Sequence, residues 1–105
     1  LIALGARVAT GEPPRSFCPG DNGVRAVEGR KVAGLAQRVR ADATVVAGCV
    51  LVDDRAAQRA VLEPVYRALD VPFDPASVGD LASAGAECGP DEVERALRAA
   101  FVPEE

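Results

Sequence analysis

Two side chains in this sequence have the chemistry to act on a carbonyl. Of its twelve basic residues only Lys31 is a lysine, and the rest are arginines. An ammonium is a compact point charge on a flexible stem, whose donors reach a carbonyl or a phosphate as a guanidinium fork does not. Gly29 and Gly34 flank it and allow backbone to approach closely. Lys31 therefore reads either as a positioned ammonium or as a surface lysine in a strand. The second side chain is Cys18, in the loop Ser16-Phe17-Cys18-Pro19-Gly20-Asp21. A thiolate is a strong nucleophile, and nearby cations, here Arg15 and Lys31, favour it. The competing reading is a small buried hydrophobe.

Gly34 is a third signal. Glycine inside a strand weakens it unless something comes close to the backbone. A ligand against Ala33-Gly34-Leu35-Ala36 meets that condition, and so does a tightly packed helix. Cys49, among valines, reads as core, and Cys88 as inert. Asp53-Asp54 has the form of a carboxylate pair but reads better as a helix cap.

What is missing narrows the chemistry. Histidine is absent, so Ser-His-Asp and Cys-His arrangements cannot form within this chain. The three cysteines are far apart and make no CxxC pair, which argues against a zinc site or disulfide framework. Free thiols fit a reducing, cytoplasmic setting. A formal net charge of -4 disfavours nonspecific nucleic-acid binding. No apolar run is long enough for a membrane span, so no membrane partner is expected.

The elements that must position these residues follow from patterning. Leu1 to Gly5 reads as the end of a helix closed by glycine. Ala6–Thr10, Val24–Val27, Lys31–Arg40 and Ala43–Val52 read as strands, with turns at Glu28-Gly29-Arg30 and Ala41-Asp42. The β-branched Ala43–Val52 run reads as a central, buried strand. Asp53-Asp54 starts a helix to Asp70 that Pro64 kinks or splits. Ser77 caps a short helix to Ala84. Pro90 opens a last helix whose apolar stripe is Val93, Leu97, Ala100 and Phe101. Glu104-Glu105 is expected to fray. Strands followed by helices predict an α+β domain over 1–105, an antiparallel sheet with helices packed on one face. With no methionine at its start and an opening like the end of a helix, the chain reads as part of a longer protein.

The segment Gly29-Arg30-Lys31-Val32-Ala33-Gly34-Leu35-Ala36-Gln37-Arg38 resembles the lysine motif of the biotin/lipoate protein ligase and acyltransferase superfamily. Phe17-Cys18-Pro19-Gly20 is similar to the Cys-Pro-Gly motif of its octanoyl–glycine-cleavage-H-protein amidotransferase branch, and the two motifs stand in the family's order. The resemblance covers roughly Arg15 to Asp54. It departs at Asn22-Gly23-Val24-Arg25, where that branch has a Tyr-Asp-Leu-Ser-like strand, and at Ala47-Gly48, where lipoate ligases carry His-Gly. The family's acyl-binding Arg/Gly motif lies upstream, so the resemblance implies the C-terminal half of a larger catalytic domain.

What the resemblance implies is transfer of an octanoyl or lipoyl group to a lysine of a lipoyl domain or glycine-cleavage H-like carrier protein. Cys18 would carry the acyl group as a thioester, and Lys31 would hydrogen-bond its carbonyl. Gly34, Ala36, Val46 and Gly48 would line the acyl site. That route needs no metal or nucleotide. The alternatives are a lipoate-protein ligase, which uses ATP and magnesium, and a noncatalytic relative that binds a lipoyl domain.

Overall fold

The computed structural model describes residues 1–18, 20 and 22–102. Pro19 and Asp21 of the cysteine loop, and the acidic end 103–105, lie outside the described residues. The described residues build four strands, β1 (Val8–Thr10), β2 (Val24–Ala26), β3 (Lys31–Val39) and β4 (Thr44–Val50), then two α-helices, α1 (Arg55–Ala68) and α2 (Pro90–Phe101). The sheet is antiparallel throughout, in the order β1-β2-β3-β4. The fold is α+β.

Turn chemistry sets the hairpins. Gly29 takes φ +118° between β2 and β3, a conformation that favours glycine. Its amide donates to the Ala26 carbonyl at 2.9 Å. At the far hairpin the Arg40 amide donates to the Ala43 carbonyl at 2.8 Å. From there β3 and β4 run in register from Val39↔Thr44 to Ala33↔Val50.

One irregularity matters for the site. Between β2 and β3 the pairs are Val24↔Ala33 and Arg25↔Lys31, so β3 spends two steps where β2 spends one. An extra residue of this kind resets the alternation of side chains. Val32 joins the core with Ala6, Ala26, Leu81, Ala84, Ala86 and Val93, while Val8, Val24 and Val50 pack against it. Lys31 and Gly34 both emerge on the opposite face.

Several sequence expectations change here. β4 is not central and buried but an exposed edge strand. Its apolar run marks strand propensity, and burial depends on a neighbour that packs against it. Cys49, expected in the core, is exposed. Pro64 does not split α1, which is one element from Arg55 to Ala68. The helices are not gathered on one sheet face. α2 gives Val93 to the core, whereas α1 buries no residue and reaches the cysteine loop on the other face through Tyr66. Of the expected α2 stripe only Val93 is buried, and Phe101 is 82% exposed.

The segment from Ser77 to Ala84 is not a helix. A 3-10 turn spans Pro75–Ser77, capped by Asp74 rather than Ser77. Beyond it the strand ends capture the backbone. Gly79 donates to the Lys31 carbonyl at 2.8 Å, Leu81 to Leu51 at 2.9 Å, and Ala82 to Val52 at 3.1 Å. Amides committed to those carbonyls are not free to make a helix. The α1 cap is where expected: the Asp54 carboxylate accepts from the Ala57 amide at 3.4 Å. Among the described residues no helix is long and apolar enough to cross a membrane.

Candidate functional site

The long connection between β1 and β2 folds over the start of β3 and wraps the lysine. Lys31 is 0% exposed. Its Nζ donates to a Glu12 carboxylate oxygen, to the Phe17 carbonyl at 2.7 Å and to the Cys18 carbonyl at 2.8 Å. The Phe17 ring lies over the ammonium, 4.9 Å from Nζ to its centroid, a cation–π contact. An ammonium has three hydrogens, and here three acceptors take them. The second Glu12 oxygen accepts from the Gly20 amide at 2.8 Å. A buried charge is tolerated only when paired and hydrogen-bonded, and this loop supplies both.

Cys18 rides on that anchor. Its residue is exposed, yet both its backbone polar groups are held. The carbonyl accepts from Lys31, and the amide donates to the Tyr66 hydroxyl at 2.7 Å. Cys18 has φ +46° and Arg15 has φ +55°. The left-handed region costs an ordinary L-residue about 1–2 kcal/mol, and such strain collects at functional sites. The Asp74 amide ties the loop again, donating to the Arg15 carbonyl at 2.7 Å. Tyr66 is fixed by its stack on Phe73, with centroids 4.8 Å apart and planes 16° apart.

Beneath the cysteine is Gly34. A Cβ built there would stand 3.1 Å from Cys18 Cβ, 3.6 Å from Phe17 Cε2 and 3.7 Å from Lys31 Cε. The glycine is thus explained by the cysteine loop lying on it. The structure brings together Cys18, Lys31 and Gly34.

The other expected acyl-site residues divide between the faces. Gly34 pairs with Cys49 and Ala36 with Ala47, whereas Leu35 pairs with Gly48 and Gln37 with Val46. Directly opposed residues share a face, and neighbours along a strand alternate. Ala36 therefore follows Gly34 on the cysteine face, while Val46 and Gly48 point to the other. Gly48 has its own reason: a Cβ there would meet the Gly34 carbonyl oxygen at 2.5 Å and Leu35 Cδ2 at 2.7 Å. It also borders an open apolar cleft of about 460 Å³ with Val50, Val52, Pro90 and Val93. That cleft lies on the α2 side, away from Cys18. On the cysteine face the small exposed residues Ala36, Ala47 and Cys49 form a shallow strip that leads to the buried Gly34.

Elsewhere, Asp54 serves α1 as its cap, so the Asp53-Asp54 pair is not a carboxylate site. The Cys88 thiol donates to the Ala86 carbonyl at 3.8 Å. Among the described residues no group of three or more histidine, cysteine, aspartate or glutamate side chains is placed to hold a metal ion. Asp80 is buried, which disfavours its charge. Hydrogen bonds from Ser83 and from the Arg55 amide, with the Arg55 guanidinium, outweigh burial and hold its pKa below the ordinary aspartate value.

Two residues that build the site carry no motif, Glu12 and Tyr66. For Tyr66 there was a signal of the kind that picked out Lys31: it is the only tyrosine in the chain. No family model, curated protein or solved structure matches this chain.

Proposed function

We propose that this chain belongs to an acyltransferase related to the biotin/lipoate ligase-like domains, moving an octanoyl or lipoyl group to a carrier-domain lysine. One observation carries the reading: an exposed cysteine in a left-handed conformation, its amide and carbonyl both clamped, beside the chain's only lysine. Side chains pre-positioned in this way suit nucleophilic catalysis.

In this reading the Cys18 thiolate attacks the acyl carbonyl and forms a thioester. The thiol's proton goes to the departing amine or thiol of the donor. A lysine amine of the acceptor lipoyl or H-like carrier then attacks, and the thiol is released. Lys31 keeps the loop in place, and its charge favours the negative charge developing on the acyl oxygen. The acyl chain runs over Ala36, Ala47 and Cys49, beside the buried Gly34 and in place of Val46 and Gly48. The route uses no nucleotide.

The test is incubation with an octanoylated carrier domain, without ATP, followed by intact mass under mild acid. An octanoyl adduct lost with hydroxylamine and absent from Cys18→Ala supports the thioester route. Transfer from free octanoate only when ATP and magnesium are added replaces it with a ligase. Carrier binding without any acyl intermediate leaves a noncatalytic binding protein.

A further inference from the structure

We infer that the Tyr66 hydroxyl donates the hydrogen bond to the carbonyl oxygen of an acyl group on Cys18. The inference rests on the acyl-transfer reading of the site and assigns the oxygen's partner within it.

Lys31 is poorly free to do this. Each of its three hydrogens already has an acceptor: Glu12, Phe17 and Cys18. Turning one to a substrate abandons a nearly buried carboxylate or a loop carbonyl, and an orphaned buried acceptor is costly. The same carbonyls hold Cys18 in position, so a lysine that let go would loosen the nucleophile as it reached for the substrate.

Tyr66 has the opposite arrangement. Its oxygen accepts from the Cys18 amide at 2.7 Å, and among the described residues its own hydrogen has no acceptor. A hydroxyl that accepts one hydrogen bond is polarised toward donating another. Its ring is braced by Phe73, so the hydroxyl meets the cysteine without a conformational search. It stands one hydrogen bond from the nucleophile's own amide. The acyl carbonyl, joined to that residue through Sγ, has its oxygen within a few bonds of the same point. Oxyanion sites in acyl transfer are built from such donors, often with the nucleophile's own amide. The balance is simple. The S–C bond forms, the carbonyl electron pair moves onto oxygen and is held by the Tyr66 hydroxyl. The pair then returns as the donor's leaving group departs, and Tyr66 keeps its proton throughout.

The experiment compares wild type with Tyr66→Phe, which removes the hydroxyl and retains the ring on Phe73. Two reagents separate the roles. p-Nitrophenyl octanoate acylates Cys18 through an oxyanion. Iodoacetamide alkylates the same thiol by displacement at carbon, with no oxyanion. Acylation of Tyr66→Phe slowed by about a hundredfold, with alkylation within about twofold of wild type, is the expected result. Equal slowing of both reactions makes Tyr66 a brace for the loop and overturns the inference. Unchanged acylation overturns it as well. Because the ester needs no carrier protein, a failure of transfer from the octanoylated carrier counts against the proposed function and not against Tyr66.

Discussion

Cys18 lies directly on Gly34, its Cβ 3.1 Å from where a Gly34 side chain would begin. The contact exists because β3 carries one extra residue against β2, which puts positions 31 and 34 on one face. Strict alternation would have sent them to opposite faces. The cysteine loop, the lysine and the glycine therefore form one packing unit.

That unit predicts the effect of filling the glycine. Gly34→Val places two methyl groups toward Cys18, Phe17 and the Lys31 stem. Overpacking of this kind costs about 1–3 kcal/mol, read as a lower urea midpoint at unchanged m-value. The displaced loop changes the iodoacetamide rate at Cys18. Wild-type stability together with a wild-type alkylation rate would mean that the cysteine does not rest on β3.

Lys31 and Glu12 are expected to behave as a pair. Breaking a buried ion pair by removing one partner costs about 3–5 kcal/mol, because the charge left behind is uncompensated. Lys31→Met strands the Glu12 carboxylate and two loop carbonyls. The double variant Lys31→Met with Glu12→Gln should lose less than the sum of the single changes, by about 1 kcal/mol or more. A double-mutant cycle in urea measures this. Additive losses would show that the two charges do not stabilise each other.

The strands, their order along the chain and the two main helices were legible in the sequence, because turn residues and periodicity are local signals. Lys31 and Cys18 were legible as chemistry, since their residue types are rare here. What neighbours them was not. The bulge at Val32 changes which residues share a face, and no local pattern announces it. β4 reads as core by composition and lies at an edge, because burial is a property of partners. Glu12 carries no local signal, and only the folded loop brings its carboxylate to Lys31. The backbone around Leu81 was read as helical, but the ends of β3 and β4 claim its amides.

Asp80 gives the fold a signed pH dependence. Its carboxylate accepts from the Arg55 amide at 2.9 Å and the Ser83 amide at 2.7 Å, joining the start of α1 to the segment before α2. Its pKa is held below the ordinary 3.8, so the native state favours the charged form. The stabilisation is fully present above that ordinary value and is lost as pH falls through the lower native pKa. Asp80→Asn is expected to cost about 2 kcal/mol at neutral pH, and the gap to wild type should close below pH ~3.8. A gap that widens toward acid would mean the carboxylate is better bound when protonated.

The β3–β4 register makes the last prediction, which concerns Cys49. It sits opposite Gly34, so its Cβ stands about 5 Å from the Gly34 Cβ position. Cys18 Cβ stands over the same position. The two exposed thiols therefore lie on one face, on either side of the Gly34 position. Joining them requires the cysteine loop to loosen its hydrogen bonds to Lys31 and Tyr66. Diamide, a diazene oxidant, should join them: each thiol gives up one hydrogen, the N=N bond takes both, and the chain loses two mass units. Peptide mapping should find Cys18 linked to Cys49, with Cys88 still alkylatable. The linked chain should no longer be acylated by p-nitrophenyl octanoate until dithiothreitol restores the thiols. A bridge to Cys88 instead, or only intermolecular bridges, would mean that Cys49 does not share the face on which Cys18 lies.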